Sequence, residues 1–114
     1  MEYDLEERTK KFAKNVLYLL KIIKENNLNK NILSQLIRSV TSVGANYCEA
    51  NGSSSKKDFR NKIYICKKEV KETSYWIEML AEVESSQKDE LRKLWKESHE
   101  LTLIFGKISS TLSN

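Results

Sequence analysis

Residues 30–51 read KNILSQLIRSVTSVGANYCEAN. Ile32, Leu33, Leu36, Ile37, Val40, Val43 and Tyr47 recur at spacings of three and four, the period of one helix face. Between them stand Ser34, Gln35, Ser39, Thr41, Ser42, Ala45 and Asn46, all small or neutral. Only Lys30, Arg38 and Glu49 carry charge at neutral pH, in a chain that is 32% Asp, Glu, Lys and Arg. A surface helix normally sets a charged face opposite its apolar stripe. This one lacks the charged face, and small side chains let other backbones approach closely. It is therefore expected to be covered on more than one side, by its own bundle and by a second subunit.

Three further helices flank it. Helix one is expected over 4–26, with Leu5, Phe12, Val16, Leu19, Leu20 and Ile23 inward and Lys10, Lys11, Lys14, Lys21 and Lys24 beside them. Asn26-Asn27 ends it, and Asn29 or Asn31 can cap helix two. Gly52-Ser53-Ser54-Ser55 breaks the pattern, with Gly52 placed to end helix two and Ser55 and Asp58 placed as a capping box for helix three. Helix three, about 55–84, carries two stripes. Phe59, Ile63, Cys66, Val70, Thr73, Ile77 and Leu80 form a heptad-like seam. Ile65, Glu69, Glu72, Trp76, Met79 and Val83 mix apolar residues with two carboxylates, so this helix is expected to touch two neighbours. After Ser85-Ser86, helix four covers about 87–112 with Leu91, Leu94, Ser98, Leu101, Phe105, Ile108 and Leu112 on one side. Short links make consecutive helices antiparallel. The fold expected is all-α: a single-domain, up-down-up-down antiparallel four-helix bundle over residues 1–114.

Composition agrees. The chain has 114 residues, no Pro and three Gly, too little turn punctuation for a β-rich domain of one modest core. No apolar run approaches the roughly 18 residues of a membrane span. MEYDLEERTK is acidic and polar, unlike a secretory signal. Cys48 and Cys66 both fall in apolar helical stripes and are read as small buried hydrophobes in a reducing cytoplasm. The net charge of +4 and pI near 9.0 permit nucleic-acid binding without requiring it.

Residues 38–76 carry a family resemblance. The segment from Arg38 to Ala50, RSVTSVGANYCEA, looks like the helix-two hallmark of a family of small bacterial four-helix bundle proteins. Ser55-Lys56-Lys57-Asp58-Phe59 matches the start of that family's third helix. Lys68-Glu69, Glu72-Thr73 and Tyr75-Trp76 match its middle. The founding members are encoded by intervening sequences inside 23S rRNA genes. The accessory variability protein of diversity-generating retroelements is similar to them. Many members carry Asn-Ile-Ala-Glu-Gly where this chain has Asn46-Tyr47-Cys48-Glu49-Ala50. The resemblance implies the four-helix fold and, from the retroelement branch, a homopentamer with a basic surface proposed to bind RNA or DNA.

The chemistry on offer is sparse. His99 is the lone histidine, so a His-based metal cluster or triad is excluded. No Gly-rich phosphate loop is present. No cofactor, metal or small-molecule substrate is expected. Glu69 and Glu72, three apart, could serve as acid and base of a hydrolase. A structural pairing with Arg38, in a largely buried contact, is the preferred reading. Asn46, Glu49 and Trp76 join them as a polar network and subunit interface, Glu49 through a contact of its own.

Helix three is polarised in charge. Residues 56–71 hold seven cations against Asp58 and Glu69, a net of +5, and residues 72–84 hold four glutamates and no base. This opposes the helix's own dipole, at a cost of tenths of a kcal/mol per charge. Lys57, Arg60, Tyr64, Lys67 and Lys71 share one face, with Lys56 and Lys68 nearby. Cations around an aromatic suit phosphate contacts and stacking on an unpaired base; they equally suit a solvated, solubilising face. The leading expectation is a non-catalytic, homo-oligomeric, RNA-binding accessory factor. The alternative is a protein-interaction scaffold with no nucleic-acid role.

Overall fold

The computed structural model describes residues 4–112. They form α1 (Leu5–Lys21), α2 (Lys30–Asn51), α3 (Lys56–Val83) and α4 (Lys88–Leu112), with a single 3-10 turn over Ser85–Gln87 before α4. The helices pack as a ring, α1 on α2 and α4, α3 on α2 and α4, while α1 and α3 stand on opposite corners. The result is an antiparallel bundle measuring 44 × 28 × 21 Å. Polar contacts fix the register. Asn51 at the end of α2 donates to Glu6 at the start of α1 (2.9 Å), and the Asn29 amide beside the start of α2 reaches Glu84 just past α3 (3.2 Å).

The inward residues are those whose spacing selected them. Phe12, Val16, Leu36, Val40, Val43, Ile63, Cys66, Val70, Ile77, Leu80, Leu91, Leu101 and Phe105 are buried, and Phe59, at the open end of the α3 seam, is partly so. A middle layer of hydroxyls interrupts the apolar core. Thr73 Oγ1 lies 2.9 Å from both Ser39 Oγ and the Glu69 carbonyl, and Ser74 and Ser98 share a hydrogen bond of 2.8 Å. Each of these groups has a partner, which avoids the cost of orphaned buried polar atoms.

Two boundaries differ from expectation. Helix α1 stops at Lys21 rather than near residue 26. Its last turn tightens, with Ile22 and Ile23 N–H donating three residues back to Leu19 and Leu20. The Asn26 side chain then accepts from the N–H of Leu28 and Asn29, a local turn that competes with helix continuation. Asn29 precedes α2 in helical conformation and makes no side-chain cap. Instead it is fully buried, accepting from Asn26 N–H and donating to the Lys24 carbonyl. Ser55 does cap α3, accepting from Asp58 N–H at 3.0 Å. Gly52 ends α2 with a negative φ, so no left-handed residue is needed there.

The cysteines separate. Cys66 is buried and its thiol donates to the Val43 carbonyl (3.6 Å); burial pushes its pKa up to about 12. Cys48 is exposed rather than buried. It lies on the outward side of α2, in a groove of about 310 Å³ shared with Glu6, Lys10 and Ala13 of α1 and with Thr41, Gly44 and Ala45.

Candidate nucleic-acid interface

The first half of α3 points its charge away from the bundle. Ile63, Cys66 and Val70 face inward, which turns Lys57, Arg60, Tyr64 and Lys71 to solvent and leaves Lys67 half-exposed. Tyr64 keeps 60% of its surface exposed, high for an aromatic with no partner to cover it. Among the described residues none of Lys57, Arg60, Lys67 and Lys71 has an ion-pair partner. Lys56 and Lys68 are exposed on the flanks, and among the described residues they too have no ion-pair partner. Lys62 is different: it donates to Glu49 across the α2–α3 boundary at 2.7 Å, and that hydrogen bond raises its pKa. Glu49 thus removes one cation from the set and belongs to the α2–α3 contact.

The second stripe of α3 is half-buried along its length. Arg38 of α2 reaches across to it, donating from Nη1 to Glu69 Oε1 (3.1 Å) and from Nη2 to Glu72 Oε1. Trp76 Nε1 donates to the same Glu72 oxygen at 3.4 Å, and its ring stands edge-on to Tyr75. Burial disfavours the Arg38 charge, but Glu69 and Glu72 outweigh it and raise the Arg38 pKa. The structure therefore brings Arg38, Glu69, Glu72 and Trp76 together. Asn46 is not among them; it turns back on its own helix to the Ser42 carbonyl and hydroxyl.

The pair is less buried than expected. The Arg38 side chain is 46% exposed in the single chain, against 12% for Glu69. The arginine starts on the outward side of α2, and only its tip crosses to the carboxylates. Both carboxylates are engaged by this guanidinium. Among the described residues no group of three or more His, Cys, Asp and Glu is placed to hold a metal ion. His99 stacks flat on Trp95, and Trp95 donates to Glu78. No helix is long and apolar enough to cross a membrane.

An ionic clasp joins α1 to α4. Arg8 of α1 grips Glu97 of α4 through two hydrogen bonds, 2.6 and 2.7 Å, and also reaches Glu100. These residues lie 89 and 92 positions apart, so no local spacing could have paired them.

The geometry can be set beside known proteins. The structure resembles the crystal structure of a protein of unknown function from the S23 ribosomal protein family of Bacteroides thetaiotaomicron, with a TM-score of 0.80 and 30% identity over 93% of this chain and 98% of that one. No curated protein sequence matches the chain. The model of the 23S rRNA-intervening sequence protein family matches residues 1–107, nearly the whole bundle, and the chain belongs to that family.

Proposed function

We propose that this protein is a non-catalytic, homo-oligomeric nucleic-acid-binding factor of the cytoplasm that takes RNA on the outward face of α3. The observation that carries the reading is the set Lys57, Arg60, Lys67 and Lys71 around an exposed Tyr64, the four cations having no ionic partner among the described residues. Uncompensated cations are the groups that neutralise phosphates, and an exposed phenol ring offers a base a stacking surface. Membership in a family named for an intervening sequence of 23S rRNA agrees with an RNA partner. The assembly proposed is a pentamer joined through the neutral outer face of α2 and the Trp76 stripe of α3. A ring of such subunits would repeat the basic face and strengthen its field.

The experiment is a titration of structured RNA and duplex DNA at two salt concentrations. Phosphate-driven binding weakens steeply as salt rises. Replacing two of the four cations with Gln lowers affinity for all sequences alike and flattens the salt slope by at most about two. Tyr64→Ala hurts single-stranded more than duplex binding. Gln variants that bind as the parent does would replace this reading with the protein-interaction scaffold.

A further inference from the structure

Helix α1 carries a copy of the α3 pattern. Lys11, Lys14, Tyr18 and Lys21 are spaced three, four and three residues apart, the same intervals as Lys57, Arg60, Tyr64 and Lys67. At about 100° per residue this places all four on one strip of α1. The strip lies on the side of the helix away from the residues α1 buries, Leu5, Thr9, Phe12, Val16, Leu19 and Leu20. All four side chains are exposed, Tyr18 at 61%, almost the value of Tyr64. Among the described residues Lys11, Lys14 and Lys21 have no ion-pair partner; the nearby acids Glu97 and Glu100 are held by Arg8, and Glu7 by Lys10. Beside Lys11 a groove of about 490 Å³ opens between α1 and α4, with Asn15 and Lys93 on its rim.

From these features we infer that α1 is a second binding strip for single-stranded RNA, so that each chain holds two strands at once. The inference rests on the proposed RNA role of α3 and extends it. The α1 and α3 strips occupy opposite corners of the ring and face opposite sides of a bundle 21 to 28 Å across. One strand cannot lie along both without passing around the protein. An exposed tyrosine among unpaired lysines favours an unpaired strand, because a duplex hides its base faces. The strip from Lys11 to Lys21 spans about 15 Å at 1.5 Å per residue, a short single-stranded footprint.

The test uses the full chain and a short single-stranded oligonucleotide carrying 5-bromouridine. Photo-crosslinking followed by peptide mass spectrometry is expected to place adducts at both Tyr18 and Tyr64, and titration to saturate at two strands per chain. The triple variant Lys11→Gln, Lys14→Gln, Lys21→Gln should saturate at one strand, lose the Tyr18 adduct and keep the Tyr64 adduct, with the salt dependence of the remaining site unchanged. These lysines are exposed, so the variant should fold as the parent does. Adducts at Tyr64 alone, with one strand per chain in the parent, would overturn the α1 strip and leave α3 standing. Adducts at neither tyrosine would overturn both. Adducts at both, with saturation at one strand, would overturn the two-strand claim.

Discussion

Arg8 Nε and Nη2 meet the two carboxylate oxygens of Glu97 at 2.6 and 2.7 Å, a fork-to-fork pair between α1 and α4. Such planar pairs are short and geometrically demanding. Both side chains are part-buried, 23% and 30% exposed. The pair joins the shortest helix of the bundle, 17 residues, to one of 25. It is therefore a polar clasp between the shortest helix and its neighbour α4.

Replacing Arg8 with Met keeps much of the packing and removes the clasp. The expected loss is about 1.5–3 kcal/mol, the range for hydrogen bonds to charged groups. Glu100→Gln should cost less than about 1 kcal/mol, because that carboxylate is 66% exposed. Urea titration of both variants checks the ranking. Equal losses would mean that the Glu97 geometry contributes nothing special.

The Arg38 contact makes a different demand. Arg38→Ala leaves Glu69 buried and without its only side-chain partner. Arginine itself is half-exposed, so the loss should fall short of the 3–5 kcal/mol typical of breaking a fully buried pair. About 1–3 kcal/mol is expected, the desolvation penalty of one stranded acceptor. Adding Glu69→Ala should recover part of it in a double-mutant cycle. If the second substitution recovers nothing, Glu69 is satisfied by water and the pair is a surface feature.

The sequence made the bundle legible because its helices repeat one physical signal. Phe12, Val16, Val40, Val43, Ile63 and Val70 were identified by spacing alone and are all buried. Arg38 could be matched with Glu69 and Glu72 because it is the sole arginine of a nearly uncharged helix and they are carboxylates on the stripe beside it. Arg8 offered no such contrast among the many charges of α1, and its partners sit on the far helix. The end of α1 is not legible in the sequence, because the Asn26 side chain settles it by bonding its own loop while the apolar period runs on through Ile23. Exposure of Cys48 is not legible in the sequence, because α2 offers only Lys30, Arg38 and Glu49 to mark an outward face, too few for periodicity to say which side is outward.

Cys66 supplies a pH dependence. Burial raises its thiol from the usual 9.0 to about 12 in the folded protein. The folded state thus holds a proton that the unfolded chain releases above about pH 9. Stability is unaffected below that point and declines as pH climbs from about 9 toward 12. The contribution of this one group has a slope of at most about 1.4 kcal/mol per pH unit. Cys66→Ala should lower stability at neutral pH by opening a small cavity. It should also flatten the alkaline slope relative to the parent, a difference that cancels the shared titration of lysines. Parallel curves for parent and variant would show that Cys66 ionises freely in the fold.

The outer face of α2 bears on assembly. Ser34, Thr41, Ala45 and Cys48 are exposed and uncharged, Ile37 is 41% exposed, and a groove beside Gly44 runs between α1 and α2. Water tolerates these side chains, but a second copy of the chain would gain more from them than water does, since small residues permit close approach and little charge must be desolvated. Ala45→Arg places a cation in the middle of that face. In the proposed oligomer the arginine would force a long charged side chain into a contact made by small neutral residues, a costly overpacking even with Glu6 lining the same groove. In the isolated chain the site is solvent-exposed and both residues favour helix, so folding should be unchanged. Light scattering is expected to show an oligomer for the parent, a pentamer under the proposed assembly, and a monomer for the variant, with equal helical content by circular dichroism. A monomeric parent at micromolar concentration would remove the assembly. An oligomer that survives Ala45→Arg would move the contact away from this face of α2, and the scarcity of charge on that helix would then need another cause.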